Sequence, residues 1–251
     1  MRTETFSTPG GVSLEISIPA GDVDIETIDG DETAVELEVR GRDAQELERD
    51  AKIELRPRGD GYQVTVEADR GRGGIFRSRN GDYRVRITTP HGARVEANVA
   101  SADVSAHGRY SEVEIHAASG DVEFDGVQGE ARIDTASGDV RLKRVVSAKV
   151  NAASGDVRID EAQGTVEVNT ASGDVELRSV VSGKVDVNSA SGDVEVSIAK
   201  GSRLFVDAQT MSGDTSSELE LESGAPIEGD SGPLVELRAV SMSGDISVKR
   251  A

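Results

Sequence analysis

The sequence predicts an all-β protein, a parallel β-solenoid with about eighteen residues and two strands per coil, preceded by an N-terminal cap that contains one short helix. Three observations predict it. A corner recurs as Ser119-Gly120-Asp121-Val122, Ser137-Gly138-Asp139-Val140, Ser154-Gly155-Asp156-Val157, Ser172-Gly173-Asp174-Val175 and Ser191-Gly192-Asp193-Val194, with variants at Ala20-Gly21-Asp22-Val23, Ser101-Ala102-Asp103-Val104, Ser212-Gly213-Asp214-Thr215 and Ser243-Gly244-Asp245-Ile246. From Ser101 onward the intervals between these serines are 18, 18, 17, 18, 19, 21 and 31 residues. Between corners, apolar and polar residues alternate with a period of two, the mark of strands with one buried face. Hydrophobic residues make up 36% of the chain and aromatic ones only 3%, so the core must be built in thin layers of Val, Ile, Leu and Ala.

The elements follow in order. Residues 1–95 are expected to form the strand-rich cap, with strands near Val12 to Ile18, Ala34 to Arg40, Tyr62 to Glu67 and Tyr83 to Thr88. The helix candidate is "RDAQELERDAK", in which Asp43 and Glu46 have the spacing of a capping box. Residues 96–251 are expected to form the solenoid. In "SGDVEFDGVQGEARIDTA", Val122 and Phe124, then Ala131, Ile133 and Thr135, point one way, and glycines break the run between them. Stacked antiparallel hairpins would also alternate, but nothing would then hold every second turn to one motif at one period. A hexapeptide helix would show three equivalent sides, and here there are two. Glycine in the corner supplies φ > 0, and Asp accepts bonds from N–H groups left free at a bend. Ala136, Ala153, Ala171 and Ala190 are expected to pack where the corners stack. After about residue 200 the repeat becomes irregular, with the acidic insertion "SSELELESGAPIEGDSGP". The sequence stops at "SMSGDISVKRA" with no helix or polar cap sequence after this last corner, so the stack is expected to end there, either covered by the 215–236 insertion or with an edge open to self-association.

Charge and composition exclude several functions. A formal net charge of -19 opposes nucleic-acid and anionic-membrane binding. The absence of Cys removes disulfides, thiolate catalysis and Cys-based metal sites. The N-terminus has no apolar signal segment and no stretch approaches eighteen apolar residues, so a cytoplasmic protein without membrane insertion is expected, a surface location being open to a processed form. The corner aspartates Asp121, Asp139, Asp156, Asp174 and Asp193 are read as structural turns rather than calcium ligands, since the nonapeptide of calcium β-rolls is richer in glycine than these corners. His91, His107 and His116 have no metal-ligand spacing and are read as solvated loop residues. Ser197-Ile198-Ala199-Lys200 lies at a strand end without the helix that an S-x-x-K nucleophile needs, and Arg58-Gly59-Asp60 reads as a hairpin turn. Against the acidic background stands "DRGRGGIFRSRNGDYRVR". Its Arg70, Arg72, Arg77 and Arg79 are candidate contacts for an acidic partner, including a second copy of the chain. No cofactor, catalytic residue or metal site is expected.

The recurring S-G-D-V, with "IPAGDVDIE" and "RVRITTPHGARVEANVASADV", resembles the bacterial putative-adhesin family, a group of domains of unknown function with β-solenoid repeats. The resemblance covers most of the chain and is strongest from about Tyr83 to Val196. It implies a solenoid without an established enzymatic activity and brings no catalytic residues to transfer. The expected function is that of a non-enzymatic interaction protein presenting an acidic surface to an unidentified protein partner or to itself. The alternative is a carbohydrate-binding or carbohydrate-cleaving β-helix, which would call for an aromatic-lined groove; the repeats supply only Tyr110 and Phe124 before Phe205.

Overall fold

The computed structural model describes residues 1–68, 81–217 and 232–251, which are all-β apart from one short helix. They fall into two compact units, Met1–Gly129 with Ile133–Ser137, and Glu130–Arg132 with Gly138–Ala251. A rung is one passage of the chain through two strands and the corner between them.

The first unit contains β1 (Arg2–Ser7), β2 (Val12–Ile28), β3 (Glu32–Arg40), α1 (Ala44–Asp50), β4 (Lys52–Arg58), β5 (Gly61–Glu67), β6 (Asp82–Pro90), β7 (Ala93–His107), β8 (Tyr110–Ser119) and most of β9 (Val122–Ser137). The four strands anticipated in the N-terminal region are all present, as β2, β3, β5 and β6. β2 and β7 each turn a corner and run parallel, with Leu14 beside Val95, Ile16 beside Ala97 and Val23 beside Val104. β8 and β9 carry the columns on, with Val113 beside Val95 and Val122 beside Val104. On its other side β2 meets β5 and β6, again parallel, with Val64 beside Leu14 and Val85 beside Val23. Three antiparallel strands finish the unit: β4 on β5, β3 on β6 and β1 on β3. The first rung in sequence is thus internal, held between the β5/β6 rung and β7.

Alternation explains which side chains go inside. Leu14, Ile16, Val23, Ile25, Val64, Val85, Val95 and Val104 are fully buried, while Glu15, Ser17, Asp22 and Asp24 face outward between them. Each fully buried Val, Leu or Ile contributes on the order of 1.5–3 kcal/mol. Tyr110 and Phe124 meet edge to face with centroids 5.4 Å apart. The Tyr110 hydroxyl donates to the carbonyls of Ile25 and His107, both at 3.0 Å, which is how a phenol can be fully buried there. The helix lies where the sequence places it, but the capping box does not form. Asp43 makes no side-chain cap bond, and its backbone carbonyl instead accepts from Glu46 and Leu47.

The second unit contains β10 (Val140–Ser154), β11 (Val157–Ala162), β12 (Val166–Ser172), β13 (Val175–Val180), β14 (Gly183–Ser191), β15 (Val194–Ile198), β16 (Arg203–Thr210), β17 (Thr215–Ser217), β18 (Leu234–Ser243) and β19 (Ile246–Arg250). All the pairings described here are parallel. One column runs Val140, Val157, Val175, Val194, Ile246 and Thr215; another runs Val150, Val168, Val187, Ala239 and Ala208. These columns overturn the expectation that the stack ends at the last corner of the sequence. β18 and β19 lie between β14/β15 on one side and β16/β17 on the other, so among the described residues 203–217 form the outermost rung. The corner alanines are a second correction: Ala136, Ala153, Ala171 and Ala190 are exposed, and the inward positions beside them belong to Thr135, Ala152, Thr170 and Ser189.

Candidate functional site

Every corner in the second unit is tied to the next by the same bond. The backbone N–H of Asp156 donates to Asp139 Oδ1 at 3.0 Å, that of Asp174 to Asp156 at 2.9 Å, and that of Asp193 to Asp174 at 2.8 Å. The series continues through Asp245 on Asp193 and Asp214 on Asp245, each at 2.8 Å, in the spatial order of the rungs. In the first unit Asp121 donates to Asp103 Oδ1 at 2.9 Å. One carboxylate oxygen of each acceptor is thereby committed to an amide, which offsets the repulsion of like charges stacked about 4.8 Å apart. Glycine is obligatory beside this bond. Gly173 has φ +123°, and a Cβ there would stand 2.2 Å from the Gly155 carbonyl oxygen.

The outer faces carry further ladders. Asn169 Nδ2 donates to Asn151 Oδ1 and Asn188 Nδ2 to Asn169 Oδ1, both at 3.0 Å. Beside them Lys149 Nζ meets Glu167 at 2.8 Å. Hydrogen bonds from Lys149 and then Asn169 hold the Glu167 carboxyl below the usual carboxylate range. On the other sheet face Arg158 pairs with Glu176 at 2.6 Å, and Arg178 with Glu176 at 2.8 Å and Asp160 at 3.4 Å. In the first unit Arg84 and Arg86, part of the basic run, stand between acidic neighbours: Asp22 and Asp24 on β2, Glu38 and Glu36 on β3. Arg84 reaches Asp22 at 3.3 Å. With Arg40, Asp82 and Asp103 these two line a hollow of about 350 Å³. The alternation of Arg84 and Arg86 with buried Tyr83, Val85 and Ile87 was the signal that they belong to a strand.

Arg70, Arg72, Arg77 and Arg79 lie outside the described residues. Two of the three histidines are in strands rather than loops: His107 Nδ1 lies 3.3 Å from Asp125 and His116 Nδ1 3.2 Å from Asp134. His91 Nδ1 is 2.7 Å from Thr27 Oγ1. Arg58 and Gly61 pair across a two-residue turn, as the hairpin reading required, and Ser197 is a nearly buried strand residue. Among the described residues no group of three or more His, Cys, Asp or Glu is arranged to hold a metal ion, and no helix is long and apolar enough to cross a membrane.

Parallel rungs, amide-bonded corners and repeated surface ladders define a β-solenoid-like protein whose identifiable chemistry is periodic. The chain matches the Toastrack DUF4097 family over residues 13–249 and belongs to it, in agreement with the resemblance carried by its S-G-D-V corners. Its fold is similar to that of the putative lipid binding protein of Parabacteroides distasonis ATCC 8503, with TM-score 0.50 and 16% identity over 99% of this chain and 96% of that one. It also aligns with the putative adhesin of Bacteroides fragilis NCTC 9343, with TM-score 0.47 and 12% identity over 100% and 96% of the two chains. No curated protein matches the chain by sequence.

Proposed function

We propose that this protein is a non-enzymatic, adhesin-like interaction module, a parallel β-solenoid of about eighteen residues and two strands per coil that presents an acidic, periodic surface to a protein partner. One observation carries the reading: polar side chains on the outer faces form rung-to-rung ladders, the Asp corners, the Asn151–Asn169–Asn188 series and the Arg158–Glu176 and Arg178–Asp160 pairs. Such a face offers repeated contacts rather than a single reacting centre. The corner aspartates are structural in this reading, and Arg70, Arg72, Arg77 and Arg79 are a basic contact within an acidic chain.

Beads coated with the full chain provide the test. They are expected to attach to immobilised basic protein such as histone in a salt-sensitive way, and to leave a panel of polysaccharides intact in a reducing-sugar assay. Release of sugar in proportion to protein added, with no attachment to protein, would overturn the proposal in favour of a carbohydrate-active β-helix.

A further inference from the structure

The outermost strands of the two units are unlike one another. In the first unit β4, which with β1 forms an edge there, carries Lys52, Glu54, Arg56, Pro57 and Arg58, and charge with proline is how an edge strand is kept from pairing. In the second unit β16 reads Arg203-Leu-Phe-Val-Asp-Ala-Gln-Thr210. Among the described residues it pairs with β18 alone, Phe205 is 66% exposed, and Leu204, Val206 and Ala208 are only half-buried although their register neighbours Val235, Leu237 and Ala239 are fully buried.

The hydrogen-bond register says which backbone groups remain available. Arg203 N–H donates to the Pro233 carbonyl at 2.8 Å and Met211 N–H to the Ser241 carbonyl at 3.2 Å. By alternation, odd-numbered residues of β16 spend their groups on β18, and Leu204, Val206 and Ala208 direct theirs away from it. Two β16 strands related by a two-fold axis must run antiparallel, and an even residue of one must then face an even residue of the other. Centring on Asp207 sets two carboxylates against each other. Centring on Val206 sets Phe205 against Asp207. Centring on Phe205 sets Arg203 opposite the partner copy's aspartate at both ends, pairs Leu204 with valine, and brings the two phenylalanines together at the close, non-hydrogen-bonded position where cross-strand side chains interact best.

We infer that β16 is a self-complementary docking edge, through which two copies of this chain pair antiparallel about a two-fold axis at Phe205. The inference deepens the interaction reading above by naming one partner, a second copy. It rests on strand register rather than on the acidic faces, so the two can fail separately. Two chains of net charge -19 repel at long range, so pairing is stronger near 0.15 M salt, where the Debye length is about 8 Å, than at 0.01 M.

The test uses the full chain, which has no native cysteine. Sedimentation velocity is expected to show a concentration-dependent dimer. Phe205→Cys is expected to form a disulfide-linked dimer about tenfold faster or more than Asp29→Cys, a fully exposed control, because pairing raises the local thiol concentration. Val206→Pro removes an N–H that β18 does not use, and is expected to abolish the dimer while the circular dichroism spectrum stays native. Asp207→Arg is expected to weaken pairing and Arg203→Asp with Asp207→Arg to restore it. A chain that stays monomeric at high concentration and 0.15 M salt, with Phe205→Cys cross-linking no faster than Asp29→Cys, overturns the inference. Attachment of the coated beads, if it persisted, would leave the interaction reading standing.

Discussion

Glycine and aspartate solve one problem between them at the Gly-Asp corners. Gly173 lets the chain turn at φ +123° against the Gly155 carbonyl, and Asp174 then donates its N–H to Asp156 Oδ1. Gly173→Ala meets both a disfavoured φ and a backbone atom 2.2 Å from the new methyl. It is expected to cost about 2 kcal/mol or more, read as a lowered urea midpoint with unchanged m. Tyr110 gives a residue-scale prediction in pH. Burial, and then the charges of Asp125 and Glu26, push its phenol well above the ordinary value of about 10. A raised folded-state pKa means that the unfolded chain releases this proton first. The contribution of Tyr110 is therefore complete below about pH 10 and declines as pH rises beyond it. Tyr110→Phe is expected to lower stability at neutral pH through the lost bonds to Ile25 and His107, and to flatten the decline in melting temperature expected above about pH 10, a value set by the ordinary phenol range.

Strands show most plainly what could be read from the sequence. In β12 the period of two puts Val168 inside, stacked between Val150 and Val187, and Glu167 outside against Lys149. Val168→Asp is expected to cost about 3 kcal/mol or more by burying an unpaired carboxylate, while Glu167→Gln costs well under about 1 kcal/mol for an exposed ion pair. Comparable losses for the two in denaturant titrations would sink the assignment of faces. Corner, parity and strand positions were legible because each is set by residues within a few positions of one another. The same parity, carried on from Val168 through Thr170, turns Ala171 outward, so the exposed alanines were legible too and size misled where direction decided. The absent Asp43 cap was not legible, because the capping-box spacing is satisfied equally by a helix whose first turn closes on the backbone carbonyl. Nor was the neighbour of each rung. Corners at Asp193, Asp214 and Asp245 are chemically alike, so any of them can stack on any other, and only the long intervals after residue 191 hint at a departure from sequence order.

Over the whole molecule, the same device occurs in each unit: two rungs are stacked in the reverse of their sequence order, which seats one of them between two others. In the first unit it is β2, between the β5/β6 rung and β7; in the second it is β18/β19, between β14/β15 and β16/β17. Removing residues 234–251 takes away the parallel neighbour to which β16 and β17 are bonded. Hydrogen exchange is expected to show residues 203–217 losing protection while β10 to β13 keep theirs. Survival of protection in β16 would mean that it is held by something other than β18. The arrangement also orders events during synthesis. When residues 203–217 leave the ribosome, the strands that will hold them have not been made, and Val194 must wait for Ile246, 52 residues later, before its outer edge is closed. Contacts so distant form slowly, and the edge of β14 and β15 stays open until β18 and β19 have been made. The β18/β19 rung enters a slot between finished and waiting strands, so a nascent chain stalled short of residue 234 carries an unpaired edge that β18 and β19 otherwise cover.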